Sequence, residues 1–235
     1  MFGYRGLNSK SVEVDLESGE TLYPGISAGE NQLRWGFIRK VYGILATQIV
    51  LTTVVSAVTV LYTPVNDLLR GSPAFFSSSP SFLSSQKHPL NFIFLGLFTL
   101  TLSLTVGVSC ANTEGRIVLE ALILTSAVVV SLTAYTFWAS KKGKDFSYLG
   151  PILFTGLIIL ILTGFIQAFF PLGSTSVAIY GAVGAIIFSG YSVYDTDNLI
   201  KRFTYDEYIW AAITLYLDIL NLFLSILRML RSSDG

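Results

Sequence analysis

The sequence predicts an all-α fold, a polytopic membrane helix bundle, and three observations carry that prediction. Hydrophobic residues make up 52% of the 235 residues against 13% charged, far below the roughly 25% charged of soluble domains. The apolar residues are gathered into blocks near the about 20 residues that a bilayer needs. Basic and aromatic residues collect at the ends of those blocks, as at a membrane interface.

Taken in order, residues 1–33 mix Gly, Ser, Glu and Asn around a Pro24-Gly25 turn, too little apolar surface to offset ordering. This predicts a mobile tail over 1–33 and one multi-span domain over 34–232. No apolar core follows a basic start near Met1, so the first spanning helix is expected to do the targeting. In LRWGFIRKVYGIL, Trp35, Arg34, Arg39 and Lys40 mark an interface, and residues 41–62 supply the first span. Further spans are predicted at 91–110, 117–140, 149–170, 176–200 and 208–230, six in all. Residues 63–86 are Ser-rich and broken by prolines, too polar for an ordinary spanning helix.

Lys and Arg in short loops favour the cytoplasmic side. Six spans put Arg34, Arg39, Lys40, Arg116, Arg228 and Arg231 on one side and Arg70, Lys87, Lys141, Lys142, Lys144, Lys201 and Arg202 on the other, six against seven, which orients nothing. One more crossing before Lys87 gathers Arg34, Arg39, Lys40, Lys87, Lys141, Lys142, Lys144, Lys201 and Arg202 against Arg116, Arg228 and Arg231, nine against three, with Arg70 inside the disputed stretch. The charges call for a seventh crossing that the composition of 63–86 does not supply, and they put the tail in the cytosol.

Net charge is zero, with 15 basic and 15 acidic residues, which gives no bias toward nucleic acid. The single cysteine, Cys110, precludes an internal disulfide and reads as a buried small side chain. Gly181, Ala185 and Ser189, with Gly184 between, are small residues suited to close helix packing.

The chemistry lies in SGYSVYDTDNLIKRFTYDEYIWAAITLYLDILNLFLSILR. Asp195 and Asp218 are symmetric about the turn at Asp206 and Glu207, so an antiparallel hairpin brings both carboxylates to one depth. A carboxylate at mid-bilayer costs about 2.5–3.5 kcal/mol and is a functional hypothesis by default. Thr214, Asp218, Asn221, Ser225 and Arg228 recur at spacings of four, three, four and three, one polar stripe on an apolar helix. Ser192 and Ser189 precede Asp195 at steps of three. Two carboxylates in a low-dielectric site do not easily both ionise, so such a pair shares a proton and responds to pH. Ionised, they offer oxygens to Ca²⁺, which takes 6 to 8 ligands; water must complete the shell, which suits a permeating ion. The competing reading is structural: a protonated aspartate bonding a neighbouring helix contributes about 1 kcal/mol. Asp197, Asp206 and Glu207 read as a solvated cluster with Lys201 and Arg202, Glu120 as an i, i+4 partner of Arg116, and His88 as a surface loop residue.

The segments FIRKVYGILATQ, QKHPLNF, YDTDNLIKR and YDEYIWAAITLYLDILNLFL resemble the Lifeguard branch of the transmembrane Bax inhibitor motif family, most closely its plant members, over nearly all of the chain after residue 20. The resemblance implies a seven-helix fold in endomembranes (endoplasmic reticulum, Golgi or vacuole), a cation leak, chiefly Ca²⁺, gated by protonation of a paired-aspartate site, and suppression of programmed cell death. Asp195 matches the aspartate of the family's YDT motif and Asp218 that of its LYLD motif. The departure is residues 63–86, a shortened counterpart of the family's second helix in which Arg70 is the one basic candidate to pair with the acids.

Three functions compete: a proton-regulated Ca²⁺ leak channel using Asp195 and Asp218, a non-conducting adaptor that binds other membrane proteins, and an intramembrane aspartyl protease. The protease fits worst, because Leu215, Tyr216 and Leu217 precede Asp218 where that family has glycine. The expectation is therefore a channel with no catalytic residues and no resident cofactor, whose partners are the bilayer, Ca²⁺ and protons.

Overall fold

The computed structural model describes residues 21–62, 90–170 and 173–233. Six described helices are long and apolar enough to cross a membrane: α1 Ala28–Leu61, α2 Leu90–Ala111, α3 Gly115–Lys141, α4 Leu149–Phe169, α5 Ser174–Lys201 and α6 Tyr208–Ser233. At about 1.5 Å per residue even the shortest reaches about 30 Å, the thickness of the hydrocarbon core.

The beginning of the chain differs from the expected tail. Residues 1–20 lie outside the described residues, but α1 starts at Ala28, with the Ser27 hydroxyl accepting from the Glu30 amide at 3.3 Å. Glu30 lies in the first turn, where the helix dipole favours an acid. Leu22 and Ile26 are buried, and the Leu22 amide donates to Asn31 Oδ1 at 3.1 Å. A few apolar side chains suffice here because the bundle end offers them a surface.

The C-terminal helix α6 is the axis. Over its most apolar stretch 56% of α6 is buried, against 11% for α4. It packs on α1, α2, α3 and α5, whereas α4 packs on α5. The core runs along α6 through Ala212, Tyr216, Leu222 and Phe223 and meets Val41 and Leu45 of α1, Val106 and Cys110 of α2 and Ala121 of α3. Cys110 is buried, as its setting suggested.

Helix directions follow from which residues meet. Gln48 Nε2 donates to Thr99 Oγ1 at 3.0 Å, Ser103 Oγ lies 3.1 Å from Thr52 Oγ1, and Gly107 abuts Thr59. Partners rise together along both chains, so α1 and α2 are parallel. Lys40 sits over the Tyr208 ring and Phe92 beside it, so α6 runs the same way. Ser140 meets Asp197 near the ends of α3 and α5; these two run parallel to each other and against α6.

These directions sort the charges. Arg34, Arg39, Lys40, Lys141, Lys142, Lys144, Lys201 and Arg202 lie at one end of the bundle, the basic rim, and Arg116, Arg228 and Arg231 at the other. These eight against three follow the division of the nine-against-three count, whose ninth member, Lys87, lies outside the described residues. Since α1 and α2 are parallel, Tyr62 and Leu90 stand at opposite ends of the bundle. Residues 63–89, with Arg70, Lys87 and His88, lie outside the described residues.

Arg34 is not a simple interface charge. It is 7% exposed, donates from Nη1 to the Phe203 carbonyl at 2.5 Å, and stacks near Phe37 and Tyr205. It fastens α1 to the α5–α6 turn. Arg116 and Glu120 form the expected exposed pair at 3.0 Å.

Candidate functional site

The site forms because α5 and α6 approach closely. A Cβ on Gly181 would stand 2.7 Å from the Met229 amide nitrogen and from the Ser225 carbonyl oxygen, and one on Gly184 would stand 2.7 Å from Ser225 Oγ. Glycine at these two positions lets the helix backbones touch. At the basic rim the hairpin is closed by Thr204 and Glu207: the Glu207 carboxylate accepts from the Thr204 amide at 2.8 Å and from its hydroxyl at 2.9 Å, just before α6. Those bonds hold the Glu207 carboxyl below its ordinary range.

With the hairpin in this register, Asp195 and Asp218 come within hydrogen-bonding reach of each other. Asp195 also reaches Thr214, and Asn198 Nδ2 lies 3.4 Å from its Oδ1. Asp218 is 6% exposed, and its Oδ2 has no donor among the described residues. A proton shared across the pair would satisfy that oxygen. The acids are not at the centre of α5: Asp195 stands six residues (201 − 195) from its end, about 9 Å along the axis, so the pair lies toward the basic rim.

Asp195 and Asp218 line a cavity of about 420 Å³ between α4, α5 and α6. Three members of the predicted stripe, Thr214, Asn221 and Ser225, line it too, as does Arg228. Ser192 does not. Its hydroxyl donates to the Phe188 carbonyl at 3.1 Å, and it faces a separate small cavity with Tyr42, Thr133 and Thr196. The step of three residues turns it to the side of α5 that meets α1 and α3.

Asp197 departs from its expected place among solvated charges. It is 1% exposed, paired with Lys201 Nζ at 2.5 Å, and accepts from Ser140 Oγ at 3.2 Å and the Phe146 amide at 3.3 Å. Gly143, at φ 73°, ends α3 in the left-handed turn that swings Phe146 back toward α5. Lys201 also donates to the Lys144 carbonyl, and Arg202 to Ser147 Oγ and Asp145. Asp145, accepting from the Ser147 hydroxyl and amide, is held below the ordinary carboxylate range. Asp206 and Glu207 are exposed, as expected.

Asn198, Tyr191 and Tyr180 also belong to this neighbourhood and carry no sequence signal of their own. Tyr191 and Tyr180 line the cavity, and Tyr180 donates to the Leu160 carbonyl at 3.0 Å. Asn198 follows Asp195 at i+3, which is legible only once the side chain's direction is known. The oxygens of Asp195, Asp218 and Thr214 fit a hard cation in type, but they are fewer than Ca²⁺ takes. Among the described residues no group of three or more His, Cys, Asp or Glu side chains converges.

The family described as inhibitor of apoptosis-promoting Bax1 has a sequence model that matches residues 34–235. A BI1-like protein of Arabidopsis thaliana is 64% identical over 252 residues, covering 100% of this chain and 98% of the relative. Protein LIFEGUARD 4 of the same plant is 50% identical, over 95% of both chains. A Golgi anti-apoptotic protein of Vaccinia virus (strain Lister) is 37% identical, also over 95% of both.

Proposed function

Since the chain belongs to the family of inhibitors of apoptosis-promoting Bax1, we propose that this multi-pass membrane protein restrains programmed cell death by letting Ca²⁺ leak from an endomembrane store, under control of the Asp195–Asp218 pair. The observation that carries the reading is the meeting of these two carboxylates in one cavity inside the bundle.

A shared proton closes the site to a cation, because the pair then offers less negative charge and one oxygen is engaged. Loss of that proton leaves two carboxylates beside Thr214, and a hydrated Ca²⁺ exchanges part of its water for their oxygens. Two carboxylates bind loosely enough to let the ion go on. The basic rim faces the cytosol by the charge rule, with the tail on that side. An endomembrane location is supported by the viral relative, which is named for the Golgi.

The full chain reconstituted in liposomes tests this. Ca²⁺ flux should rise with pH, and Asp195→Asn and Asp218→Asn should each abolish that dependence. Flux that keeps its pH profile in both variants removes the pair from the mechanism. A wild-type chain that folds and passes no Ca²⁺ rejects the channel in favour of a non-conducting adaptor for other membrane proteins.

A further inference from the structure

The acidic cavity has a second charged feature that the leak reading does not use. Its walls continue along α5 through Tyr180, Gly184 and Tyr191, and along α6 through Asn221 and Ser225 to Arg228. Arg228 stands ten residues (228 − 218) beyond Asp218, about 15 Å along the helix, at the rim opposite the basic one. Its guanidinium carbon lies 4.9 Å from the Tyr180 ring centroid, within the range of a cation–π contact. Tyr180 is itself fixed: its hydroxyl donates to the Leu160 carbonyl at 3.0 Å, and its ring end fills the space left by Gly164. Arg228 is exposed yet docked on a rigid platform at the end of the cavity.

We propose that Arg228, held on Tyr180, is an entrance charge that limits how fast cations reach the Asp195–Asp218 pair from the rim opposite the basic one. The proposal rests on the leak reading for its meaning in transport, and on geometry alone for access to the cavity. A divalent cation at that mouth meets a fixed positive charge in a cleft with low-dielectric walls, where a field changes entry rates strongly. The guanidinium acts at the entrance as a fixed positive charge, apart from the acids deeper in the cavity. The two charges then divide the work: Arg228 sets the size of the flux and the acids set its pH dependence.

Two measurements on the full chain test this separately from the leak reading. In liposomes, Arg228→Gln should raise Ca²⁺ flux up to about tenfold, Arg228→Glu should raise it further, and Arg228→Lys should leave it near wild type. The pH midpoint should stay the same in all three, and the gain should shrink at high ionic strength. Tyr180→Leu, which frees the guanidinium from its platform, should give part of the gain. In detergent, Tb³⁺ luminescence sensitised by Tyr191 reads arrival at the acids without conduction. Arg228→Gln should speed Tb³⁺ association, and Asp195→Asn with Asp218→Asn should remove the signal. Folded Gln and Glu variants that match wild type in Tb³⁺ association overturn the entrance role, and so does a Tb³⁺ signal absent from wild type. Absent Ca²⁺ flux with Tb³⁺ association still governed by residue 228 rejects the leak and keeps the entrance.

Discussion

The Tyr216 hydroxyl lies 2.7 Å from Thr52 Oγ1, on the side of α6 away from the acidic cavity. Thr52 already donates to the Gln48 carbonyl at 2.8 Å, so the tyrosine is the donor between them. Ser103 Oγ closes the group at 3.1 Å from Thr52, and Tyr216 is fully buried. Three helices thus agree on the rotation of α6 about its axis, and Asp218, two residues further on, inherits that rotation. Tyr216→Phe keeps the ring and removes the bond. It should lower unfolding stability in detergent by about 1 kcal/mol, with Thr52→Val giving a similar loss and the double variant little more than either.

The close approach of α5 and α6 makes a sharper prediction. A Cβ at Gly181 would meet two backbone atoms of α6, Met229 N and Ser225 O, at 2.7 Å, and a backbone cannot swing aside as a side-chain tip can. Gly181→Ala should therefore cost about 1–3 kcal/mol as an overpacked contact, and Gly181→Leu should prevent assembly. Gly96 on α2 has nothing within 4 Å of an added Cβ, so Gly96→Ala should be neutral or stabilise by up to about 1 kcal/mol through helix propensity. Thermal unfolding of the three variants side by side decides this; equal losses at 181 and 96 would mean the helices are not in contact there.

Which features the sequence discloses follows from how local their causes are. The spans are visible because each is a single apolar block, and the Asp195–Asp218 encounter because both lie on one hairpin whose turn sets the register. Asp197 was hidden: its i, i+4 partner Lys201 is in view, but its burial depends on Ser140 and Phe146, which lie 57 and 51 positions earlier. Arg34 was hidden in the same way, since the carbonyl that holds it belongs to Phe203, 169 positions later. Ser192, grouped with the polar residues around Asp195 by its spacing, lines the neighbouring cavity instead, because spacing places a residue near a helix face but not on which side of it a third helix packs. Composition alone also left the path from α1 to α2 open, and the Gln48–Thr99 and Thr52–Ser103 contacts supply the direction that it lacks.

The clasp around Asp197 should behave as a buried ion pair. Asp197 is 1% exposed and Lys201 17% by side chain, so removing the cation leaves a carboxylate without its counter-charge. Lys201→Met should cost about 3 kcal/mol or more. Adding Asp197→Asn should recover part of that loss, because the amide still accepts from Ser140 and carries no charge. Chemical unfolding of the single and double variants measures the coupling. A double variant worse than Lys201→Met would place the energy of this rim in Asp197's hydrogen bonds instead of in the pair.

The two ends of the bundle make the last prediction. α1 begins at the basic rim, beside Phe203 and Tyr208, and α6 ends at the opposite rim, beyond Arg228 and its contact with Tyr180. This holds whatever path residues 63–89 take, because it follows from contacts within the described helices. An odd number of crossings must therefore separate the start of α1 from the end of α6. Glycosylation acceptor sites placed before residue 20 and after Ser233 should be modified on one side only, the C-terminal site being the glycosylated one if the basic rim is cytosolic. Cysteine labelling gives the same test from outside: with the lone native thiol removed as Cys110→Ser, an impermeant reagent applied to sealed vesicles should reach a cysteine added at one terminus and not at the other. Equal labelling of both ends would require α1 and α2 to be antiparallel, and with that the polar seam of Thr52, Ser103 and Tyr216 would not exist.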